Sequence, residues 1–161
     1  MARFSCLFYF ILIISLKVQS QNNAFKNDSV AVHKTILTLF DGMREGDSAK
    51  VKNVFTDQVR MFTSLTSDTG KKILKEGDLN EFLKAVGTAH ENIWDERLYD
   101  MVIQIDGNLA QVWTNYVFYI GKNLSHCGVN AFQLVKDESN DWKIIHLIDT
   151  RRKGNCGLNN D

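Results

Sequence analysis

The stretch from Leu109 to Arg152 constrains the fold more than any other. β-branched and aromatic residues dominate three runs within it, and the breaks fall at Gly121–Leu124 and Asp137–Asp141. The pattern predicts three long strands joined by two tight turns. Polar side chains interrupt these runs where a plain core strand would carry none, and His126, Asn130, Asp149 and Arg151 are the first candidates for function. The chain contains no proline, so its turns rest on Gly, Asn, Asp and Ser.

Upstream of that stretch the periodicity changes. Val32, Ile36, Leu39, Phe40 and Met43 recur at three- and four-residue steps, which predicts an amphipathic helix with Asp28 or Ser29 as N-cap and Gly46 just past its end. A short second helix follows Asp47 or Ser48 and turns Val51, Val54 and Phe55 inward. Gln58–Leu65 alternates like a strand, and Thr66–Glu76 reads as a polar connector. A third helix spans about Asp78 to Val86, where Asp78 and Glu81 fit a capping box. Ile93–Ile105 forms another long strand, closed by the Asp106-Gly107-Asn108 turn. This order predicts an α+β domain, with three helices packed on one face of a curved antiparallel β-sheet.

Composition bounds the function classes. The 161 residues are 44% hydrophobic and 24% charged, enough for one core. Nineteen basic residues balance nineteen acidic ones with no lysine-arginine block, so the electrostatic footprint of a nucleic-acid-binding protein is missing. At the N-terminus, Arg3, the apolar run Phe4–Leu16 and the small or neutral residues Val18 and Ser20 read as an export signal cleaved after Ser20. The domains expected are therefore a signal peptide over 1–20 and a single folded unit over 21–161, periplasmic or extracellular, with an uncleaved anchor as the alternative. The apolar run is short for a bilayer span of roughly 20 residues.

Cys127 and Cys156 remain after cleavage. They form a disulfide, or they are a buried small residue and a thiol in a frayed tail. With His126 and His146 they show none of the paired spacings of a zinc site, and no phosphate loop, nucleophile elbow or cofactor motif is present.

The element order, the segment VWTNYVFYIGKNLSHCGVNAFQLVK and the closing DWKIIHLIDTRR resemble the nuclear transport factor 2-like superfamily, and more narrowly its exported bacterial members labelled SnoaL-like or lumazine-binding. The resemblance implies a cone-shaped, cystatin-like fold whose helix-covered concave face holds the pocket. Ketosteroid isomerase-like members use a tyrosine from the first helix with aspartates from the sheet, but Val30–Glu45 contains no tyrosine here. A dehydratase-like site wants two histidines and tyrosines, a pattern that His126, Tyr119 and Asp149 satisfy only in part.

Strand alternation sorts residues onto faces once registers are assumed. Pairing Ile120 with Ser125, Lys136 with Lys143 and Asp106 with Leu109 gathers Glu96, Asp100, Trp113, Asn115, Tyr119, His126, Asn130, Phe132, Leu147, Asp149 and Arg151 on one face. The opposite face collects Tyr99, Met101, Ile103, Val112, Tyr116, Phe118, Val129, Ala131, Ile144, His146 and Ile148. The first mixes aromatic and polar groups as a small-molecule pocket does, and the second is apolar enough for a sheet-to-sheet homodimer. Within the first, Trp113, Asn115, Tyr119, His126, Asn130, Phe132, Asp149 and Arg151 are the ligand-binding candidates. His126 and Asp149 are the candidate proton-transfer pair, weighed against an ordinary Asp149–Arg151 ion pair. The leading expectation is an exported, non-catalytic small-molecule-binding protein. An isomerase or dehydratase using the His/Asp pair comes second, and a structural dimerisation module third.

Overall fold

Val32, Ile36 and Leu39 leave one side of a long helix, α1 (Phe4–Glu45), and are 0%, 0% and 1% exposed. Full burial of such side chains contributes about 2–3 kcal/mol each, so this stripe fixes how the helix lies on the sheet. The computed structural model describes residues 4–154 and 156, with side chains from Phe25 onward. The side chains of the expected export signal, 1–20, therefore lie outside the described residues. Asp28 does not cap a helix start as anticipated, because α1 runs on through it. Its carboxylate instead pairs with Lys136 Nζ at 2.6 Å and accepts from Trp142 Nε1 at 3.4 Å, latching α1 to the final hairpin.

The other two helices begin as the capping residues predict. Asp47 Oδ1 accepts from Lys50 N ahead of α2 (Ser48–Lys52), and Asp78 Oδ1 accepts from Glu81 N ahead of α3 (Leu79–Gly87), each at 2.9 Å. Six strands follow the order β2-β1-β6-β5-β4-β3, with β1 (Phe55–Thr66), β2 (Lys72–Gly77), β3 (Trp94–Asp106), β4 (Leu109–Ile120), β5 (Asn123–Lys136) and β6 (Trp142–Arg151). All neighbours are antiparallel except β1 and β6, which run parallel.

The second half of the anticipated polar connector Thr66–Glu76 is β2. Its sequence KILKEG has one half-buried residue, Ile73, and lies exposed at the sheet edge, so it lacks the alternation of a strand covered on one face. The helices cover one face of the sheet, where Phe40 meets Phe132 edge-on at 6.3 Å between ring centroids.

All three assumed registers fail along at least part of their length, each at a β-bulge; between β3 and β4 the Asp106–Leu109 pairing holds as far as Val102, and beyond the bulge Glu96 pairs with Phe118. Between β4 and β5, Ile120 pairs with Asn123 across a two-residue turn led by Gly121 at φ 62°, and Ser125 is the extra residue of a bulge. Val112, Thr114, Tyr116 and Phe118 consequently share the helix-covered face with Phe132, Asn130, Gly128 and His126. Trp113, Asn115 and Tyr119 point to the other side. Between β5 and β6, Lys136 pairs with Trp142, and the register then slips at Ile145. That slip puts Ile144 on the same face as Leu147, Asp149 and Arg151. The apolar face of the sequence reading thus divides: Val112, Tyr116, Phe118 and Ile144 are buried under the helices, whereas Val129, Ala131, His146 and Ile148 stay on the outer face.

The disulfide forms, with Cys127 and Cys156 Cα atoms 5.7 Å apart. It closes a loop of 29 residues, for which chain-entropy arguments give about 3–4 kcal/mol of stabilisation.

Candidate functional site

A cavity of about 280 Å³ lies between the concave face of the sheet and helices α1 and α3. Leu39, Phe40, Met43 and Phe82 form its helical, apolar wall. The sheet supplies the polar wall, because inward positions of five strands end there: Thr63 from β1, Glu96 from β3, Tyr116 from β4, His126 and Asn130 from β5, and Asp149 and Arg151 from β6.

Asp149 is 8% exposed and is the hub of this wall. It accepts from Thr63 Oγ1 at 2.6 Å, Arg151 Nε at 2.8 Å and Tyr116 Oη at 3.2 Å. Tyr116 Oη also lies 2.8 Å from the Thr150 carbonyl oxygen. One phenolic proton serves both acceptors, so the carbonyl at the shorter distance takes the larger share. Burial, together with the negative charges of Asp149 and Glu96, pushes the Tyr116 hydroxyl above its ordinary range, which keeps it a donor.

Glu96 accepts from Asn130 Nδ2 at 2.7 Å. Burial pushes its carboxyl up to about 7, with the nearby Asp149 charge adding to the rise, while the Asn130 hydrogen bond and Arg151 oppose it. The site therefore holds one carboxyl poised between its charged and neutral forms near neutral pH, beside a second carboxylate held in an ion pair.

His126 stands over Phe118 and Tyr116, with ring centroids at 5.0 and 5.7 Å, and its Nδ1 lies 3.0 Å from Ser125 Oγ. Burial and the Arg151 charge hold its pKa below the ordinary histidine range, against the opposing pull of Asp149. Its Nε2 makes no hydrogen bond among the described residues. Since no buried side-chain polar atom there is left unsatisfied, that nitrogen faces open space.

Of the eight residues anticipated for ligand binding, His126, Asn130, Asp149 and Arg151 converge on the cavity. Phe132 lies on the same face but is packed into the core at 1% exposure. Trp113, Asn115 and Tyr119 sit on the opposite side of the sheet, for the register reason given above; Trp113, 56% exposed, lines a shallow outer hollow with Val102 and Ile148. His126 and Asp149 share no hydrogen bond among the described residues, so they are not a bonded acid-base pair. Glu96, Thr63 and Tyr116 were not nominated. The alternation of β3 did place Glu96 on the polar face, so its signal was present; Tyr116 was masked by the register of β4, and Thr63 by nothing more than its commonness. Among the described residues no cluster of His, Cys, Asp and Glu is arranged to hold a metal ion.

No family model matches the sequence, and no curated protein matches it either. Solved structures do. An NTF2-like protein with a cystatin-like fold from Novosphingobium aromaticivorans superposes with a TM-score of 0.69 at 9% identity, covering 88% of this chain and 93% of the other. Another NTF2-like protein, from Shewanella baltica, gives 0.60 at 16% identity over 81% and 98% of the two chains. This chain has the nuclear transport factor 2-like fold. A further structure with that fold, from Shewanella frigidimarina and provisionally named a ketosteroid isomerase, gives 0.55 at 16% identity over 74% and 94%. At these identities the likeness is one of fold alone.

Proposed function

We propose that the protein binds a small organic molecule in the cavity between the sheet and helices α1 and α3, and that it does so outside the cytoplasm. One observation carries the reading. Ionisable and polar side chains from five strands meet at a cavity opposite an apolar wall, with Glu96 and the His126 Nε2 turned toward that space. The Thr63–Asp149–Arg151 and Asn130–Glu96 bonds satisfy the wall on its own, so the site is preformed and a ligand need not order it. Export is supported by the Cys127–Cys156 disulfide, a bond that oxidising compartments maintain. The outer face, with Trp113 and Val102 exposed, is the surface through which two copies pair.

Thermal-shift screening of small organic molecules against the wild type and Met61→Trp tests the reading. The tryptophan fills the cavity from β1, so a compound that stabilises the wild type should lose its effect on the variant. Equal stabilisation of both proteins would put the ligand elsewhere.

The state of Glu96 supports a second reading, an isomerase or lyase type of enzyme. A carboxyl poised near 7 accepts a proton from carbon and returns it more effectively than an ordinary glutamate, with His126 Nε2 donating to the oxygen where charge develops. Under this reading Glu96, rather than the His126–Asp149 pair, moves the proton. Deuterium exchange into a bound carbonyl compound, followed by NMR, should occur with the wild type and be lost in Glu96→Gln; equal exchange rates in the two would dismiss catalysis by Glu96.

A further inference from the structure

His126 and Arg151 belong to two spaces. They close one side of the concave cavity and also line a wider vestibule of about 620 Å³, whose remaining walls include Thr66, Ser67, Ser125 and Lys153. The vestibule is electropositive: Arg151, Arg152 and Lys153 border it against Asp68. Asp149, behind Arg151, is already engaged by three donors.

The guanidinium of Arg151 is oriented by that engagement. Its Nε donates to Asp149 at 2.8 Å, and no hydrogen bond from its terminal nitrogens occurs among the described residues, while the side chain is 51% exposed. Its outer edge therefore presents two parallel N–H groups, the fork that matches two oxygens of one oxyanion. Lys153 makes no ion pair among the described residues and supplies a second charge on the same rim.

We propose that the ligand is an organic oxyanion, a carboxylate or phosphate on a compact ring or chain, with its charged group in the vestibule against Arg151 and Lys153 and its uncharged body passed by His126 into the cavity. The proposal rests on the ligand-binding reading above and adds the chemical class. The body is limited by the cavity of about 280 Å³, at or below the low end of drug-sized sites, which is room for a single ring. An uncharged molecule of the same shape would fill the cavity but leave the fork and the lysine in water. A cation would meet three basic side chains at the entrance.

Isothermal titration with benzoate, phenyl phosphate and benzamide tests this, using the full-length chain with its disulfide intact. Benzoate or phenyl phosphate should bind more tightly than benzamide by roughly tenfold or more, the worth of a bidentate charged contact. The tighter of the two identifies the oxyanion. That preference should shrink with added salt. It should also shrink in Arg151→Gln and in Lys153→Gln; the lysine is exposed and its replacement leaves the fold intact. Benzamide binding as well as benzoate would overturn the anionic class while leaving the cavity a ligand site. A preference that survives both substitutions would overturn the assignment to this rim. Failure of all three probes at millimolar concentration would remove cavity and vestibule together.

Discussion

The ring of Tyr116 lies across the position where Gly128 would carry a side chain. A Cβ added at Gly128 would come within 2.8 Å of Tyr116 Cε1 and would collide with the Thr150 carbonyl oxygen. The missing side chain lets β6 approach β5 closely enough for Tyr116 Oη to reach that carbonyl at 2.8 Å and Asp149 at 3.2 Å. Gly128→Ala should therefore displace both the tyrosine and the end of β6. The expected loss is about 3 kcal/mol or more, since the obstacle is backbone rather than a flexible side chain. Urea denaturation of the variant measures it.

Glu96 makes stability depend on pH in an uncommon direction for a carboxyl group. Its pKa is about 7 in the folded chain against 4.5 in its ordinary state, so between those values the folded protein holds a proton that the unfolded chain has released. Stability contributed by this proton is complete below about 4.5 and is lost as pH rises through about 7. The shift corresponds to roughly 3 kcal/mol. Glu96→Gln keeps an acceptor for Asn130 and removes the titration, so the gap in folding free energy between wild type and variant should widen in the variant's favour from pH 5 to pH 8. Parallel denaturation curves across that range give the answer.

His126 and Asp149 should part company on substitution. Asp149→Ala deprives Thr63, Arg151 and Tyr116 of a shared acceptor and should cost about 2–4 kcal/mol in folding, whatever happens to ligand binding. His126→Ala removes a ring whose Nε2 faces open space, so its main effect should be on ligand affinity. Thermal denaturation paired with titration separates the two; a larger stability loss in the histidine variant would reverse the assignment.

Assembly through the outer sheet face makes a further prediction. Tyr116 is buried beneath the helices, so the residues to change are Trp113 and Ile148 on the open side. Trp113→Glu should convert a dimer to monomers without lowering the melting temperature, as seen by light scattering. A wild type that is already monomeric at micromolar concentration would dispose of the interface.

Local chemistry was legible in the sequence where one side chain decides the outcome. Asp47 and Asp78 cap their helices as their types and spacings require, and the 3.6-residue stripe of α1 gives its buried side. The strands of the closing sheet are equally plain. Their registers are not, because a bulge adds one residue without changing composition. Ser125 is that residue, and pairing it with Ile120 moved Trp113, Asn115 and Tyr119 to the wrong side of the sheet. β2 escaped notice for a related reason: an exposed edge strand needs no apolar alternation, so KILKEG carries no strand signal. The site itself was half-visible, since β5 and β6 gave His126, Asn130, Asp149 and Arg151, whereas Glu96 acquires its character only from the burial and charge around it.

The extra residue at Ile145 sets the parity of everything after it. Ile144 and Asp149 both face the helices only because an even number of residues stands between them with one of these unpaired at the bulge. Were Ile145 drawn into the regular ladder instead of standing unpaired, composition and charge would be untouched, yet Asp149 and Arg151 would turn to the outer face while Thr150 took the hub's place. Drift among proteins that share this architecture at 9–16% identity can thus pass through the gain or loss of a single bulge that exchanges inside for outside. Counting residues between bulges, more than counting matched residues, would tell which of them carry the same chemistry in the same place.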